Sequence, residues 1–430
     1  MRRKTPKGGT TVELTIDAIG ARGDGIAASE HGRVYVPFTV PGDRVRARLD
    51  RERGDGRAAA LVEILTPGPG RTAPPCRHFG NCGGCALQHL NAELYAATKT
   101  AEIRTSLARH GLADAPVSPL LVLPPGTRRR VRFSLQRRGA AALVGFSKRE
   151  SHDLVDIAEC RVVEQCLFDL VAPLRSLAGQ ALPQRGRGHA TLQGVDTGID
   201  VLLDLPASPD LAGLERLADF AETHDLARLS WRIEGSGDII PVAQRRPVRV
   251  VFAGTAVDLP EDAFLQATPE GEAALTAAVL DFAAGSGFVA DLFAGVGTFS
   301  FALAQRAKVH AVEGWARATT AVAAAARRAG LADRVTVETR DLQHRPLHAD
   351  ELAAYDAVVF DPPRIGAKTQ AAALAASAVS HIVAVSCNAA SFARDARLLI
   401  AGGYRLIGVR PIDQFVWSPH IELVAGFQRR

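Results

Sequence analysis

From Thr11 to Leu65 the chain alternates apolar and polar residues in short, β-branched runs: TVELTI, RVYVPF, DRVRARL and AALVEIL. A period of two puts one side of each run in a core and the other in water. Between the runs lie AIGARGDG, VPGD and ERGDGR, Gly- and Asp-rich turn signals at the spacing of a small all-β barrel. The pattern predicts a five-stranded, OB-like barrel over residues 1–66. Such barrels bind oligonucleotides across their sheet, and the strand from Arg44 to Arg48 would suit a phosphate backbone; small barrels also serve as spacers.

A Pro/Gly linker, TPGPGRTAPP, ends this pattern and leads into Cys76. Residues 91–112 then follow a helical period ending at Gly111, and VRFSLQRR and AALVGFSKR read as strands within 131–149. From about residue 270, apolar strands alternate with helices, from EGEAALTAAVLDFA and FVADLF to HIVAVSC and IELVAGF. That alternation predicts a parallel sheet with helices on both faces. The expected fold class is multidomain α/β. It has a β-barrel (1–66), a central α+β domain (67–255) and a Rossmann-like domain (256–430), with residues 91–124 able to pack on the last.

The 430 residues, 47% hydrophobic and 23% charged, are too many for one compact core. Basic residues open the chain, but no apolar h-region follows and no stretch keeps eighteen apolar residues unbroken. We therefore expect a cytoplasmic protein without a membrane partner, most simply a monomer. The net charge is +5, with a pI near 9.0. Residues 1–71 hold thirteen Lys and Arg against nine Asp and Glu, and a second basic cluster comprises Arg128, Arg129, Arg130, Arg132, Arg137 and Arg138. A solvated face and a nucleic-acid surface both fit this distribution.

Six cysteines in a cytosolic chain are unlike a disulfide framework. Cys76, Cys82 and Cys85 stand in CRHFGNCGGC with C-x5-C-x2-C spacing, and Gly83 and Gly84 let the backbone fold tightly around a metal. Zinc and iron–sulfur centres both take four cysteines, so a fourth ligand is needed; Cys160 is preferred to Cys166. Spacing leaves zinc and 4Fe-4S open.

In FVADLFAGVGTFSFALA an apolar strand enters a turn at Gly295 and Gly297 that opens onto a helix. The next strand ends in Glu313, where an acid accepts hydrogen bonds from ribose hydroxyls. No third glycine follows in the dinucleotide register and the loop opens with Asp291, which favours S-adenosylmethionine over NAD. Asp341, after the following strand, could reach an adenine or simply cap a turn.

The strand AVVFDPP ends in Asp361-Pro362-Pro363-Arg364, and HIVAVSC ends in Cys387-Asn388. Both fall at the carboxyl ends of parallel strands, where doubly wound sheets place their sites. A free thiol is mostly protonated at neutral pH, so Cys387 as a nucleophile needs activation, from Arg364 or a backbone dipole. Glu422 in SPHIELVAGF is a candidate base or a surface carboxylate.

Taken in order, C-x5-C-x2-C, Phe264-x-Gln266, DLFAGVGTF at 291–299, DPPRIG at 361–366, SCN at 386–388 with ARD at 393–395, and D-x-F…H-I-E ending at Glu422 form a pattern. With these motifs the chain resembles the RNA uracil-5-methyltransferase family over nearly its whole length. The early G-x-G-I-A, V-x-V-P-F and P-G-D runs likewise resemble a TRAM domain. The resemblance implies a TRAM barrel, a central domain carrying a 4Fe-4S cluster on Cys76, Cys82, Cys85 and Cys160, and a class I methyltransferase domain. It implies S-adenosylmethionine contacts from Gln266, Phe293, Glu313, Asp341 and Asp361, beside Gly295 and Thr298 of the loop. Cys387 would be the nucleophile and Glu422 the base. The implied substrate is an unstacked uridine in RNA, 23S rRNA before tRNA.

Three departures stand out: Thr298 replaces a usual Asn, Ala389 a usual Pro, and Gln414-Phe415-Val416-Trp417 replaces a Met-Phe-Pro run. Three rival readings remain. An adenine amino-methyltransferase has no need of a thiol, a non-catalytic RNA-binding protein would bind cofactor without turnover, and a redox protein would call for a flavin or partner motif that the sequence does not carry.

Overall fold

The computed structural model describes residues 10–30 and 32–429. The chain divides into two compact units: Met1–Glu102 with Ser147–Asp153 and Trp417–Pro419, and Ile103–Phe146 with Leu154–Val416 and His420–Arg430.

In the first unit, strands β1 (Thr11–Thr15), β2 (Ala18–Ile19), β3 (Gly25–Ser29), β4 (Gly32–Val36), β5 (Arg44–Arg53) and β6 (Gly56–Thr66) form one sheet. Its order is β1-β5-β6-β4-β3-β2, six strands where five were expected. Strands β2 and β3 are short and rich in Ala and Gly, so their sequence carries little strand signal. Along β5 the expected alternation holds: Val45, Ala47 and Leu49 are buried, Arg44 and Arg48 exposed. Arg44 and Arg46 each form an ion pair with Glu13, and Arg46 also pairs with Glu63, so this basic strand is partly neutralised by its neighbours. The P-G-D turn has a structural cause. Asp43, fully buried, accepts the backbone N–H of Val40 (2.8 Å) and Gly68 (2.7 Å) and pairs with Arg71. Burial opposes the charge, yet these donors hold its carboxyl below the usual range. A Cβ on Gly68 would come within 2.4 Å of the Pro41 carbonyl oxygen, so the linker needs glycine there.

Helix α1 (Ala92–Arg109) begins at Asn91, whose side chain accepts the Leu94 N–H at 2.9 Å. In the second unit, β7 (Leu121–Val122) precedes β8 (Arg130–Arg138), β9 (Ala141–Ser147) and β10 (Leu154–Asp156). Next come α2 (Gln165–Phe168), α3 (Val171–Ala181), β11 (Arg187–Val195), β12 (Gly198–Leu205), α4 (Leu211–Thr223), β13 (Arg228–Ile233) and β14 (Ile240–Gln244). Strands β8 to β14 make a seven-stranded sheet, β10-β9-β8-β11-β12-β13-β14. Its register lines up Arg130, Gln193, Asp200, Arg228 and Gln244 across one face, and Ser134, His189, Asp204 and Arg232 across a second row. The 128–138 arginines are therefore not one basic surface. Arg129 is buried against Glu272, Arg132 pairs with Asp204, and Arg137 donates to the Leu182 carbonyl.

A β15 (Arg249–Phe252) and β16 (Thr255–Asp258) hairpin leads into the last layer. This contains α5 (Pro269–Phe282), β17 (Phe288–Leu292), α6 (Thr298–Leu303), β18 (Lys308–Glu313), α7 (Ala316–Arg328) and β19 (Val335–Thr339). It continues with α8 (Ala349–Leu352), β20 (Ala357–Phe360), α9 (Lys368–Ala376), β21 (His381–Ser386), α10 (Ala389–Ala401), β22 (Tyr404–Asp413) and β23 (Glu422–Arg429). Its eight-stranded sheet runs β19-β18-β17-β20-β21-β23-β22-β7. Strands β17 to β21 are mutually parallel, and β23 lies antiparallel between β21 and β22. One face packs Val289, Val309, Val359 and Val383 on α5, α6 and α7. The other packs Leu292, Phe360, Ile382 and Leu423 on α9 and α10, joined by Ile103 and Leu107 of α1. Burial on both faces is why these strands read as unbroken apolar runs. Among the described residues no helix is long and apolar enough to cross a membrane.

Candidate active site at the carboxyl edge of the eight-stranded sheet

Four of the parallel strands end side by side, and the residues just beyond them converge. After β17 the chain turns through Phe293 (φ 60°), Gly295 (φ 55°) and Gly297 (φ 92°) before entering α6 at Thr298. A Cβ on Gly297 would meet the Phe301 ring at 2.7 Å, so both its φ and its packing favour glycine. Glu313, at the end of β18, fastens this loop. One of its carboxylate oxygens accepts the Gly295 N–H (3.0 Å) and the other that of Trp315 (2.8 Å). Asp341 follows β19 and is exposed; it accepts the Gln343 N–H (3.0 Å) and bonds His344 (2.8 Å), a local turn cap. The His344 contact holds its carboxyl below the usual range.

Asp291 lies fully buried in β17. Its Oδ2 accepts the Ser300 hydroxyl at 2.5 Å, while Oδ1 has no partner among the described residues. Burial, aided by Asp361 and Glu313 and opposed by Ser300, pushes its carboxyl up to about 7. Asp361, directly after β20, is likewise pushed up to about 7 by burial.

The D-P-P-R loop is pinned from α10. Asn388 and Ser391 donate to the Arg364 carbonyl (3.2 and 3.1 Å), Arg394 donates to that of Ile365 (3.1 Å), and Asp395 accepts the Ala367 N–H (2.9 Å). Asn388 also caps α10, accepting the Ala390 and Ser391 N–H groups. Ala389 is therefore the first residue of that helix, a position proline favours but alanine fills without a lost bond. This accounts for one departure from the family pattern.

Cys387 sits between β21 and α10. Extending the Ser386↔Leu423 register by one residue places it directly opposite Glu422. The half-buried thiol is pushed up to about 11, by burial first and then by Glu422 and Asp361, against a smaller opposing pull from Arg364. Arg364 thus acts in the expected direction but is outweighed, and without ligand the thiol is protonated. Glu422, only 5% exposed, is a buried group; burial and then Asp361 raise it well above the ordinary carboxyl range, with Gln414 opposing. Gln414, noted in the sequence only as a departure, proves to be a hub. Its Nε2 donates to Gln266 Oε1 (2.8 Å), its Oε1 accepts the Ala267 N–H (3.0 Å), and Gln266 Nε2 faces Asp361 Oδ2 at 3.5 Å. Phe264 is 61% exposed, with the Arg130 guanidinium over its ring.

Cys76, Cys82 and Cys85 lie in a turn-rich segment of the first unit and form no disulfide. The Gly84 N–H points to Cys82 Sγ at 3.5 Å, and Gly83 packs with no room for a Cβ, 2.8 Å from the Ser147 carbonyl oxygen. Cys160 belongs to the second unit, and Cys166 faces Glu164 at 3.8 Å. These thiols have the chemistry of a soft metal centre. Among the described residues, however, no three His, Cys, Asp or Glu side chains are gathered closely enough to hold a metal ion.

A Gly-turn with an acid on the next strand, beside a thiol and three carboxyls raised by burial, defines a class I methyltransferase-like site. No family model matches the chain. It is 42% identical over 431 residues to an uncharacterized RNA methyltransferase of Caulobacter vibrioides, covering 97% of this chain and all of that one. It is 36% identical to the 23S rRNA (uracil(1939)-C(5))-methyltransferase RlmD of Chromohalobacter salexigens, over 95% of this chain and 87% of that one. Among solved structures, the Pyrococcus abyssi tRNA (uracil-54, C5)-methyltransferase in complex with S-adenosyl-L-homocysteine shares the fold. Its TM-score is 0.75 at 22% identity, covering 97% of this chain and all of that one. The chain belongs to the RNA methyltransferase family.

Proposed function

We propose that this protein methylates carbon 5 of a uridine in RNA, 23S rRNA before tRNA, through a covalent bond between Cys387 and the base. The observation that carries this reading is the nearness of Cys387, just past the end of β21, to the buried Glu422 that opens β23, close enough for the carboxylate to raise the thiol. The identity to the rRNA uracil enzyme over most of both chains supports the substrate.

Carbon 5 of uracil is a poor nucleophile. The Cys387 thiol gives its proton to solvent and adds as the thiolate to carbon 6, and the C5–C6 electron pair moves onto carbon 5 and the oxygen of carbon 4 as an enolate. Held by the loop after β17, S-adenosylmethionine would supply the electrophilic methyl group that carbon 5 takes, with the thioether as its by-product. Glu422 takes the carbon 5 proton, the electron pair restores the C5–C6 bond, and the thiolate departs. The residues present fit a cationic methyl donor, since Asp291 keeps a buried oxygen without a partner among the described residues and Asp361 presents a half-buried carboxyl just past β20. Gly295, Thr298, Phe293 and Glu313 are assigned to its backbone and ribose, and Gln266, Asp341 and Asp361 to its remaining contacts.

The reading extends to a TRAM-like RNA-holding role for the first sheet and, on the cysteine spacing and the family resemblance rather than on the placement of the thiols, to a 4Fe-4S cluster on Cys76, Cys82, Cys85 and Cys160. Protein purified without oxygen should carry about four irons per chain. Stoichiometric zinc would replace the cluster assignment. The function is tested by mapping 5-methyluridine in RNA from a strain lacking the gene: one site should lose its methyl group, in 23S rRNA. Loss at a tRNA site would move the substrate, and no loss anywhere would refute the reading.

A further inference from the structure

The amide chain around Gln414 has a direction. An amide's oxygen and nitrogen have nearly the same shape, so a glutamine can turn over unless a partner fixes it. The Ala267 backbone N–H can only donate, and it donates to Gln414 Oε1. Gln414 Nε2 must then point the other way, to Gln266 Oε1, and Gln266 is left with only N–H groups to present. One of these faces Asp361. Asp361 could not set this orientation itself, because a carboxyl held near neutrality both donates and accepts. Packing holds the lock in place: Gln414 is 2% exposed, and a Cβ on Gly271 of α5 would lie 2.7 Å from its Oε1.

We propose that Gln414 is a positioning residue that fixes Gln266, placed above beside the methyl donor, so that its second N–H is a hydrogen-bond donor toward the group on carbon 4 of the target base, and so selects uracil over cytosine. The inference rests on the uridine-C5 reading above. Carbon 5 must face Glu422 to lose its proton, and the group on carbon 4 is bonded to the neighbouring ring atom. It therefore falls on the side where Gln414 joins Glu422 to Gln266. Uracil offers an acceptor oxygen there, and cytosine an amine with two donors, which would set donor against donor. The same N–H meets the negative charge that collects on this oxygen once the thiolate has added, so the lock also stabilises the enolate.

The probes are an unmodified 23S rRNA transcript and the same transcript with the uridine methylated by wild-type enzyme replaced by cytidine. Single-turnover methyl transfer and the kcat and KM split are measured for wild type, Gln414→Met and Gln414→Glu. Gln414→Met frees Gln266 to turn and should lower the uridine-to-cytidine ratio of kcat/KM about 10- to 100-fold, a ratio from which any change in S-adenosylmethionine affinity common to both transcripts cancels. Gln414→Glu keeps the acceptor for Ala267 but turns the Gln266 oxygen into the cavity, and should move the ratio further toward cytidine. Unchanged ratios in both variants would overturn the inference while leaving the function intact. Equal loss on both transcripts would do the same, marking Gln414 as merely structural. A wild-type enzyme that forms no 5-methyluridine would remove the function itself and this inference with it.

Discussion

Two regions of the second unit bury acids and treat them in opposite ways. On the polar face of the seven-stranded sheet, Asp200 accepts two bonds from Arg228 (2.9 and 2.7 Å), and Asp204 accepts Arg232 at 2.5 Å beside Arg132. At the carboxyl edge of the eight-stranded sheet, Asp291, Asp361 and Glu422 are grouped with one another, and all three carboxyls are raised. Pairing each acid with a guanidinium makes a scaffold with fixed charge. Leaving acids to share a pocket stores a protonation equilibrium near working pH, which suits proton transfer.

The largest break in this contrast comes at the thiol. Cys387→Ala should abolish methyl transfer and leave no covalent complex. Glu422→Gln should still attack and methylate but stay bonded to RNA, a species visible by mass on a denaturing gel with labelled cofactor. Turnover by Cys387→Ala would refute the nucleophile assignment.

Next in size is the titration of that thiol. With its pKa pushed up to about 11, alkylation of Cys387 in the ligand-free protein should quicken about tenfold per pH unit from pH 7 to 10. Peptide mapping after iodoacetamide treatment reads the rate, and a plateau by pH 8 would contradict the buried, acid-flanked setting.

On the paired side, Arg228→Ala strands Asp200 as a buried lone charge and should cost about 3 kcal/mol of stability, with activity per folded molecule unchanged. Urea unfolding alongside single-turnover assays separates the two; an intact midpoint would show that the pair is dispensable.

The smallest effect is expected at Asp291. Its folded pKa of about 7 lies above the ordinary 3.8, so the native state binds the extra proton; stability is complete below about pH 4 and falls as pH rises toward 7. Asp291→Asn should thus melt higher than wild type at pH 8 and no higher at pH 4. The same increment at both pH values would place the effect elsewhere.

Strands buried on both faces show themselves as apolar runs, so β17, β18, β20 and β21, with the groups at their ends, were legible in the sequence. Glu422 was visible as a residue, but its burial depends on β23 inserting between β21 and β22, a matter of strand order that no local pattern encodes. The bond from Gln414 to Gln266 spans 148 residues and was invisible for the same reason. The arginines at 128–138 misled in the other direction. Their neutralising partners lie in β12 and α5, far along the chain, so a local count overstated the basic surface.

The two carboxyls poised near pH 7 have a further consequence under the proposed reading. The methyl donor carries a sulfonium cation, whereas the spent thioether is neutral. Taking up the cation favours ionised Asp291 and Asp361 and so expels protons into the buffer, while taking up the thioether need not. Calorimetric heats should then vary with the ionisation enthalpy of the buffer for one ligand and hardly for the other. Raising the pH would tilt the pocket toward fresh reactant and relieve product inhibition. Two acids with no cationic partner among the described residues would in this way let the enzyme tell the methyl donor from its own product by charge.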